Sequence, residues 1–322
     1  MIPSKDHLVI CFAHVAYQMK ACFDALNTGI QSFESRDRDD FERRAHEADV
    51  IVVSGMWHNG LIPLATKLRF IQSIGSGTDQ FDKEALAGRG IRLASAAGVN
   101  ARAVAEHAMA LILALARRLP EARDNQARRL WRGMIGDLTQ REDELEGKTV
   151  LIVGLGRIGG RLSELAKAFG MNVVGFRRDP AAGPRAADSV HTLAELPAFL
   201  PAADFVALTC PLVPETRGLI DAKALGLMRR SAFLVNAARG GCVEEAALVD
   251  ALQAGRIAGA ALDVTDPEPP DATSPLWVMP NVFITPHTGG ETRRYEANVN
   301  EILVENLERM WRGEAVLRNQ VV

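Results

Sequence analysis

The stretch Thr149-Val150-Leu151-Ile152-Val153-Gly154-Leu155-Gly156-Arg157-Ile158-Gly159-Gly160 decides how the rest of the chain is interpreted. Its first five residues are typical of a buried strand, and they lead directly into the pattern G-x-G-x-x-G. Apolar residues then recur at helical spacing as far as Phe169. In such a unit Gly154 permits a tight turn, Gly156 lets backbone approach a pyrophosphate, and Gly159 lets helix pack on strand. Because a helix N-terminus binds phosphates, the stretch predicts a dinucleotide site.

The next predicted strand, residues 172–176, ends in two arginines where an acidic residue is usual. In an NAD site that acid binds the adenosine ribose hydroxyls. Here Arg177 and Arg178 follow the strand, and guanidinium groups pair with the 2′-phosphate that a carboxylate would repel. Asp179 lies close enough in sequence to serve as the ribose acid instead. The pattern favours NADP(H) as cofactor and leaves NAD(H) possible.

Length and composition indicate a soluble protein of two domains. A chain of 322 residues exceeds what one hydrophobic core usually organises. Its net charge of −3 gives no reason to expect nucleic acid or a membrane as partner. The N-terminal residues do not resemble a secretory signal, which favours a cytoplasmic protein. The four cysteines lack the spacing of a metal site and are expected to be reduced thiols: Cys11, Cys22, Cys210 and Cys242.

Strands alternate with helical stretches along the whole chain, which predicts α/β architecture with parallel sheets. The first part has four predicted strands, at residues 7–12, 49–53, 69–74 and 91–93. Six more are predicted between Thr149 and Thr285, at residues 149–153, 172–176, 204–208, 232–236, 259–262 and 282–284. A last helix over residues 291–311 is expected to return to the first domain. The predicted domains are therefore residues 1–98 with 291–322, and residues 99–290.

Two segments outside the glycine loop have a possible binding role. Gly75-Ser76-Gly77 follows a predicted strand, so its backbone N–H groups could hold an anion, although a plain connecting loop fits equally well. Residues 104–119 form an apolar helix ended by Pro120, which we expect at a domain junction or subunit interface. The polar arm after it contains Trp131. A solvated surface is the default interpretation of that arm.

Three late loops bring catalytic residue types to the ends of neighbouring strands. Arg239, Glu268 and His287 each follow a predicted strand of the second domain, at the edge where doubly wound sheets bind ligands. Arg239 offers a planar fork for a substrate carboxylate. His287 can give a proton to a carbonyl oxygen as hydride reaches the carbon, with Glu268 orienting the imidazole. Each residue alone has an ordinary surface interpretation, and the other six histidines lack a comparable setting.

These residues resemble the D-isomer-specific 2-hydroxyacid dehydrogenase family over nearly the whole chain. The motifs that carry the resemblance are V-G-L-G-R-I-G-G from Val153, C-P-L-V-P-E-T-R-G-L-I from Cys210, N-A-A-R-G-G from Asn236, L-D-V-T-D-P-E-P from Leu262 and P-H-T-G-G from Pro286. The resemblance implies a homodimer in which a Rossmann coenzyme domain is inserted into a discontinuous, flavodoxin-like substrate domain. It also implies that Trp131 lies in the arm used for dimer contacts.

The resemblance also implies roles for individual residues. Catalysis falls to Arg239, Glu268 and His287. Substrate binding falls to the Gly75-Ser76-Gly77 loop together with Arg239 and His287. Cofactor contacts fall to Gly154, Gly156, Arg157, Ile158, Gly159, Arg177, Arg178, Cys210, Pro211, Ala237, Ala238, Asp263, Gly289 and Gly290. No metal is expected.

Two departures from the family pattern shape the functional hypothesis. Arg177 stands where the ribose acid is usual, as in the NADPH-using glyoxylate and hydroxypyruvate reductases of the family. No regulatory domain is expected after the last helix. The sequence thus predicts an NADPH-preferring reductase of small 2-oxo acids. Its rivals are an NAD-linked dehydrogenase of the D-lactate or 3-phosphoglycerate type and a nucleotide-sensing binding protein. Pocket size is expected to depend on the Met56-Trp57 loop and on what a partner subunit contributes.

Overall fold

The computed structural model describes residues 2–322 and divides the chain into two compact units. Unit 1 is formed by Met1–Asn100 and Thr292–Val322, and unit 2 by Ala101–Glu291. Each unit contains its own parallel sheet with helices around it. The predicted α/β class, with two parallel-sheet domains, is confirmed.

Unit 1 contains a five-stranded sheet with the order β2-β1-β3-β4-β5, which is the flavodoxin-like arrangement. Its strands are β1 (Val9–Ala13), β2 (Gln31–Ser35), β3 (Val50–Val53), β4 (Phe70–Ser73) and β5 (Arg92–Ala94). Its first helices are α1 (Met19–Asp24), α2 (Arg38–Arg44), α3 (Leu61–Leu64) and α4 (Lys83–Gly88). Asp37 and Asp82 cap α2 and α4, because each carboxylate accepts a backbone N–H three residues on.

Strand β2 was not predicted from the sequence. This strand lies at the sheet edge, pairs only with β1, and leaves most of its residues partly exposed. Its sequence, Gln-Ser-Phe-Glu-Ser, therefore lacks the continuous apolar run that made β3 easy to recognise.

Unit 2 contains a seven-stranded sheet with the order β12-β11-β10-β9-β6-β7-β8. Its strands are β6 (Thr149–Val153), β7 (Asn172–Phe176), β8 (Ser189–His191), β9 (Phe205–Leu208), β10 (Phe233–Asn236), β11 (Gly259–Leu262) and β12 (Val282–Ile284). Its helices are α5 (Ala101–Ala116), α6 (Leu119–Ala127), α7 (Arg157–Ala168), α8 (Leu196–Phe199), α9 (Ala222–Leu227) and α10 (Glu245–Gln253). All six predicted strands are present, and the three-residue edge strand β8 is an addition to them.

Both faces of the unit 2 sheet are covered. Successive residues of β6 point to opposite sides, so Val150 and Ile152 join the core beneath α5 and α7. Leu151 and Val153 join the core beneath α9 and α10. This two-sided burial explains why the central strands are apolar without alternation.

The predicted helix over residues 104–119 is in fact two helices. Helix α5 ends at Ala116, Arg118 adopts a left-handed backbone with φ of 50°, and α6 begins at Leu119. Pro120 lies in the first turn of α6. It therefore starts a helix rather than ending one, because the first turn leaves proline's missing N–H without a cost.

The chain returns to unit 1 through α11 (Tyr295–Trp311), whose residues Val299, Leu303 and Leu307 are buried in the unit 1 core. The last residues then run beside β5, where the Val321 N–H donates to the Leu93 carbonyl at 2.7 Å. Among residues 2–322, no helix is long and apolar enough to cross a membrane.

Candidate active site

The glycine loop between β6 and α7 has the geometry expected of a dinucleotide cradle. Gly154 has a φ of 103°, and a Cβ added there would lie 2.5 Å from the Cys210 nitrogen. A Cβ on Gly159 would lie 2.4 Å from the Gly154 carbonyl oxygen. A Cβ on Gly156 would meet only that same oxygen, at 4.0 Å. Gly154 and Gly159 are thus required by packing, whereas Gly156 leaves open space that a bound pyrophosphate would fill.

The helix α7 begins directly after this cradle, with Gly156 as its N-cap. Arg157 and Ile158 lie in its first turn, and the backbone N–H groups of a helix's first turn point out of its N-terminus. The dipole of this twelve-residue helix places partial positive charge at its N-terminus, beside the open space at Gly156. The chain therefore offers a phosphate group both backbone donors and a favourable field.

The end of β7 presents one free guanidinium. Arg177 is half-buried, and its Nη1 donates to the Gly183 carbonyl at 3.1 Å. Arg178 is exposed and has no hydrogen-bond or ion-pair partner among residues 2–322. Asp179 caps the short 3-10 turn at Pro180–Ala182 by accepting the Ala181 N–H at 3.0 Å. Arg177 and Asp179 thus each make one local hydrogen bond, whereas the Arg178 guanidinium makes none within residues 2–322 and has all its donors available to a ligand.

Cys210 and Pro211 follow β9 on the far side of the glycine loop. The Cys210 backbone packs against Gly154, and its side chain is buried, while Pro211 is exposed. The Cys210 Sγ lies 4.0 Å from the Sγ of Cys242, which is also buried. The hydrogen bond between the thiols, followed by burial, raises the pKa of Cys210 well above its ordinary value. Both cysteines are free thiols.

The loop after β10 places Arg239 at the carboxyl edge of the sheet. Ala237 and Ala238 are buried, and Asn236 holds the turn by accepting the Ala238 N–H and donating to the Arg239 carbonyl. Arg239 itself is exposed and extended, and its Nη1 donates to the Ala238 carbonyl at 2.7 Å. In the described part of the chain, no carboxylate pairs with this guanidinium. Its remaining donors are therefore available to an anionic ligand.

Glu268 and His287 meet directly, although 19 residues separate them in sequence. Their loops follow β11 and β12, and the Glu268 Oε1 lies 2.5 Å from the His287 Nδ1. Both side chains are nearly half exposed. Because an ionised carboxylate can only accept, the imidazole donates its Nδ1 proton to Glu268. The His287 Nε2 has no hydrogen-bond partner among residues 2–322, so it is the nitrogen left to exchange a proton with a ligand.

Asp263, Gly289 and Gly290 lie in the same group of loops. The buried Asp263 carboxylate accepts the N–H groups of Thr288 and Gly289, each at 3.0 Å. Gly289 is buried and Gly290 is half-buried. Burial raises the pKa of Asp263, but hydrogen bonds from two side chains and a backbone N–H outweigh it, so that pKa lies below its ordinary value.

In unit 1, the Gly75-Ser76-Gly77 loop follows β4. The Gly75 N–H donates to the Ser73 hydroxyl at 3.2 Å, so this donor is already used. The N–H groups of Ser76 and Gly77 have no hydrogen-bond partner among the residues that the structure describes. The expected anion nest thus has two available donors rather than three.

The side chains of the Met56-Trp57 loop lie in the interior of unit 1. Both side chains are only 5% exposed, because they pack into the unit 1 core, where Trp57 lies beside Phe81. These two residues therefore stabilise unit 1. At the surface of this loop, Ser54 and Gly55 precede the two buried residues, and His58 and Asn59 follow them.

His107 is the residue of the site that sequence reasoning missed. Its sequence setting does not distinguish it from the other histidines, yet its Nε2 lies 2.9 Å from the Thr285 hydroxyl and 3.3 Å from an Asp263 oxygen. The contact joins α5 to loops more than 150 residues later. The only signal in the sequence was a histidine within an otherwise apolar helix face.

Comparisons with known proteins agree with this geometry. Residues 109–289 match the family model described as D-isomer specific 2-hydroxyacid dehydrogenase, NAD binding domain. D-3-phosphoglycerate dehydrogenase of Methanocaldococcus jannaschii is 37% identical over 282 residues, which are 86% of this chain and 52% of that protein. The chain thus spans about half the length of the curated relatives it matches.

Solved structures match over nearly the full chain. The TT0316 protein from Thermus thermophilus has a TM-score of 0.80 and 34% identity, over 97% of this chain and 100% of that one. A D-isomer specific 2-hydroxyacid dehydrogenase family protein from Aeromonas salmonicida has a TM-score of 0.83 and 28% identity, over 98% and 99% of the two chains.

Proposed function

Because the chain belongs to the D-isomer-specific 2-hydroxyacid dehydrogenase family, we propose that it transfers hydride between a nicotinamide dinucleotide and a 2-oxo or 2-hydroxy acid. The Glu268–His287 pair carries this proposal, because it supplies an oriented proton donor at the carboxyl edge of a dinucleotide-type sheet. The open space at Gly156 and the N-terminus of α7 fit the cofactor's pyrophosphate.

In the reduction direction, His287, Glu268 and Arg239 have separate roles. A reduced nicotinamide held at this edge of the sheet would supply the hydride that the substrate's carbonyl carbon accepts. The carbonyl oxygen takes a proton from the His287 Nε2, and the imidazole later regains one from solvent. Glu268 keeps the ring oriented and compensates its positive charge. Arg239 binds the substrate carboxylate with the guanidinium donors that its own loop leaves unused.

The cofactor preference we propose is NADP(H). The support comes from Arg178, which is exposed and unpaired within the described residues, and from Asp179, whose carboxylate caps a turn. A charged hydrogen bond to the 2′-phosphate contributes about 1.5–3 kcal/mol, which is about tenfold to 150-fold in affinity. We expect Arg178→Ala to raise the KM for NADPH by at least about tenfold and to leave the KM for NADH nearly unchanged.

The substrate we propose is a small unphosphorylated 2-oxo acid such as glyoxylate or hydroxypyruvate. Four residues in the loops after β3 and β4, at the carboxyl edge of unit 1, are small and uncharged, namely Ser54, Gly55, Ser76 and Gly77. The N–H groups of Ser76 and Gly77 suit the substrate carboxylate. None of these four residues supplies a cation for a second anionic group.

A second candidate is a phosphorylated substrate of the 3-phosphoglycerate type. Two observations favour it: the curated relatives at 37% identity are D-3-phosphoglycerate dehydrogenases, and Arg38 lies at this edge of unit 1. Its Nη2 donates to the Gly55 carbonyl at 3.3 Å, which leaves other guanidinium donors for a phosphate. Reduction of 3-phosphohydroxypyruvate, with loss of that activity in Arg38→Ala, would select this candidate.

We also propose a homodimer formed through the segment after α6. Trp131 is 96% exposed and Met134 is fully exposed, which is unusual for large apolar side chains on a single chain. A second copy would cover them. Sedimentation of the wild-type protein and of Trp131→Ala would measure the effect.

The experiment that tests the proposal compares glyoxylate, hydroxypyruvate and 3-phosphohydroxypyruvate with NADPH and NADH in parallel. A higher kcat/KM with NADPH, reduced in Arg178→Ala and unchanged in the control Arg256→Ala, would support the proposed preference. Arg256 is an exposed arginine of the same unit. A preference for NADH would overturn it.

A further experiment distinguishes an enzyme from a nucleotide-sensing protein. His287→Ala should abolish turnover while NADPH still binds, because the side-chain hydrogen bond of this imidazole among residues 2–322 is to Glu268 and not to the glycine loop. Normal turnover in that variant would contradict the mechanism. Binding without turnover in the wild-type protein, on all three substrates, would favour a sensor.

A further inference from the structure

His107 joins two of the loops at the carboxyl edge of the unit 2 sheet. It lies in the second turn of α5, and its side chain is 22% exposed. Its Nε2 is 2.9 Å from the Thr285 Oγ1 and 3.3 Å from the Asp263 Oδ1. The Thr285 Oγ1 is in turn 2.6 Å from the same Asp263 oxygen. Three side chains from three separate elements therefore form one connected group.

The direction of each hydrogen bond follows from counting protons. An ionised carboxylate only accepts, so Thr285 spends its single hydroxyl proton on Asp263. The Thr285 oxygen can then only accept from His107. His107 must therefore carry a proton on Nε2, and that N–H donates to the Thr285 oxygen, while the Asp263 Oδ1 lies 3.3 Å from the same nitrogen. The lowered pKa of Asp263 agrees with this direction, because a donated hydrogen bond favours the ionised form.

Asp263 passes this restraint to the backbone that carries His287. Its carbonyl accepts the His287 N–H at 2.9 Å, and its carboxylate accepts the two following N–H groups at 3.0 Å each. His287 has a φ of 54°, a left-handed conformation that a non-glycine residue adopts only under local restraint. One residue thus fixes three successive N–H groups around the proposed proton donor.

The His107 ring also packs against this loop. A Cβ added to Gly289 would lie 2.7 Å from the Asp263 Oδ2 and 3.0 Å from the His107 Cδ2. The glycine therefore lets the ring and the carboxylate approach the backbone two residues after His287. A substitution at His107 would therefore reach the His287 imidazole through Asp263 and the backbone of residues 287–289.

We propose that His107 is a positioning residue. By donating from Nε2 to the Thr285 hydroxyl it holds the Thr285–Asp263 pair in place, and through Asp263 it sets the orientation of His287. The inference rests on the proposed function only for its kinetic readout. It assigns no proton transfer to His107 itself.

The test uses two substitutions at this position and one neighbour as control. His107→Gln keeps a side-chain N–H donor near the place of Nε2, and His107→Leu keeps bulk without any donor. The control is Glu106→Gln, since Glu106 is exposed on the same helix and lies outside the group. The measured quantities are kcat and KM for the reduction, the Kd for NADPH, and the long-range 1H–15N spectrum of histidine-labelled protein.

We expect His107→Leu to lower kcat about tenfold or more, with the NADPH Kd within about threefold of wild type. His107→Gln should recover most of kcat, and Glu106→Gln should retain all of it. In the spectrum, His107 should show a protonated Nε2, and the His287 resonances should move in His107→Leu but not in His107→Gln.

Equal loss of kcat in His107→Gln and His107→Leu would overturn the donor role. A wild-type kcat in His107→Leu would overturn the inference as a whole, as would an Nδ1-only proton on His107. If the wild-type protein reduces none of the 2-oxo acids, the proposed function fails, and the tautomer and the His287 resonances still decide the role of His107.

Discussion

Gly159 offers a sharp test of how the glycine loop is built. A Cβ at this position would lie 2.4 Å from the Gly154 carbonyl oxygen, 2.8 Å from the Thr209 Oγ1 and 3.0 Å from the Ile152 Cγ2. Two of these neighbours belong to the turn and to the central strand β6, so they cannot move without disturbing the sheet. Gly159→Ala should therefore destabilise unit 2 by about 1–3 kcal/mol, the usual cost of overpacking.

The assay is thermal denaturation followed by circular dichroism. For a domain of this size, each kcal/mol shifts the midpoint by about 2–4 °C, so the expected fall is about 2–12 °C. Gly226→Ala is the matched control, because Gly226 lies within α9 and a Cβ there would meet nothing within 4 Å. Alanine in a helix interior should slightly raise the midpoint.

A substitution at Gly156 tests cofactor binding separately from the stability of the fold. A Cβ there meets only one atom, at 4.0 Å, so Gly156→Ala should fold normally and bind NADPH weakly. If Gly159→Ala and Gly226→Ala have the same denaturation midpoint, the inference that α7 packs closely on the Gly154 turn is wrong. If Gly156→Ala binds NADPH like the wild type, the cradle is not at this turn.

Three other predictions concern the loops of unit 2. Glu268→Gln should lower kcat for reduction well below the wild-type value, because the amide no longer compensates the charge of His287. The Kd for NADPH should stay the same. An unchanged kcat would refute the role of the pair. Since the pKa of Asp263 is lowered in the fold, its carboxylate stabilises unit 2 above its ordinary value of 3.8 and loses that contribution as pH falls through the folded value. Asp263→Asn should accordingly lower the denaturation midpoint at neutral pH and reduce its fall on acidification, and a full acid dependence in this variant would count against the linkage. The Sγ atoms of Cys210 and Cys242 lie 4.0 Å apart, so diamide should oxidise the two thiols to a disulfide. The disulfide should lower NADPH binding and be reversed by dithiothreitol. Intact mass should show the reaction in the wild-type protein and not in Cys242→Ala.

The central part of the fold was predictable because its signals are local. Residues 149–160 combine a buried strand with glycines whose spacing is set by the turn, and the structure requires Gly154 and Gly159 in the same places. The six predicted strands of unit 2 are apolar because helices cover both faces of the sheet. The two missed strands, β2 and β8, lie at sheet edges, where half-exposed polar residues leave no such pattern.

The site was less predictable, since its contacts join distant segments. The pairing of Glu268 with His287 followed from the rule that ligands bind at strand ends, and the structure places them in contact. No sequence spacing could place His107 beside Asp263, because that contact depends on how α5 crosses the sheet. The use of the Gly75 N–H by Ser73 and the burial of Met56 and Trp57 likewise depend on tertiary packing.

The return of α11 to unit 1 has a consequence for the order of folding during synthesis. Residues Ala101–Glu291 are continuous in sequence, so all seven strands of unit 2 have been made before α11 leaves the ribosome. Unit 1 lacks Val299, Leu303 and Leu307 of its core until that moment, and β5 lacks the final segment that runs beside it. The inserted unit is therefore complete in sequence first and the enclosing unit last, so a chain truncated after Glu291 would contain all of unit 2 and an incomplete unit 1.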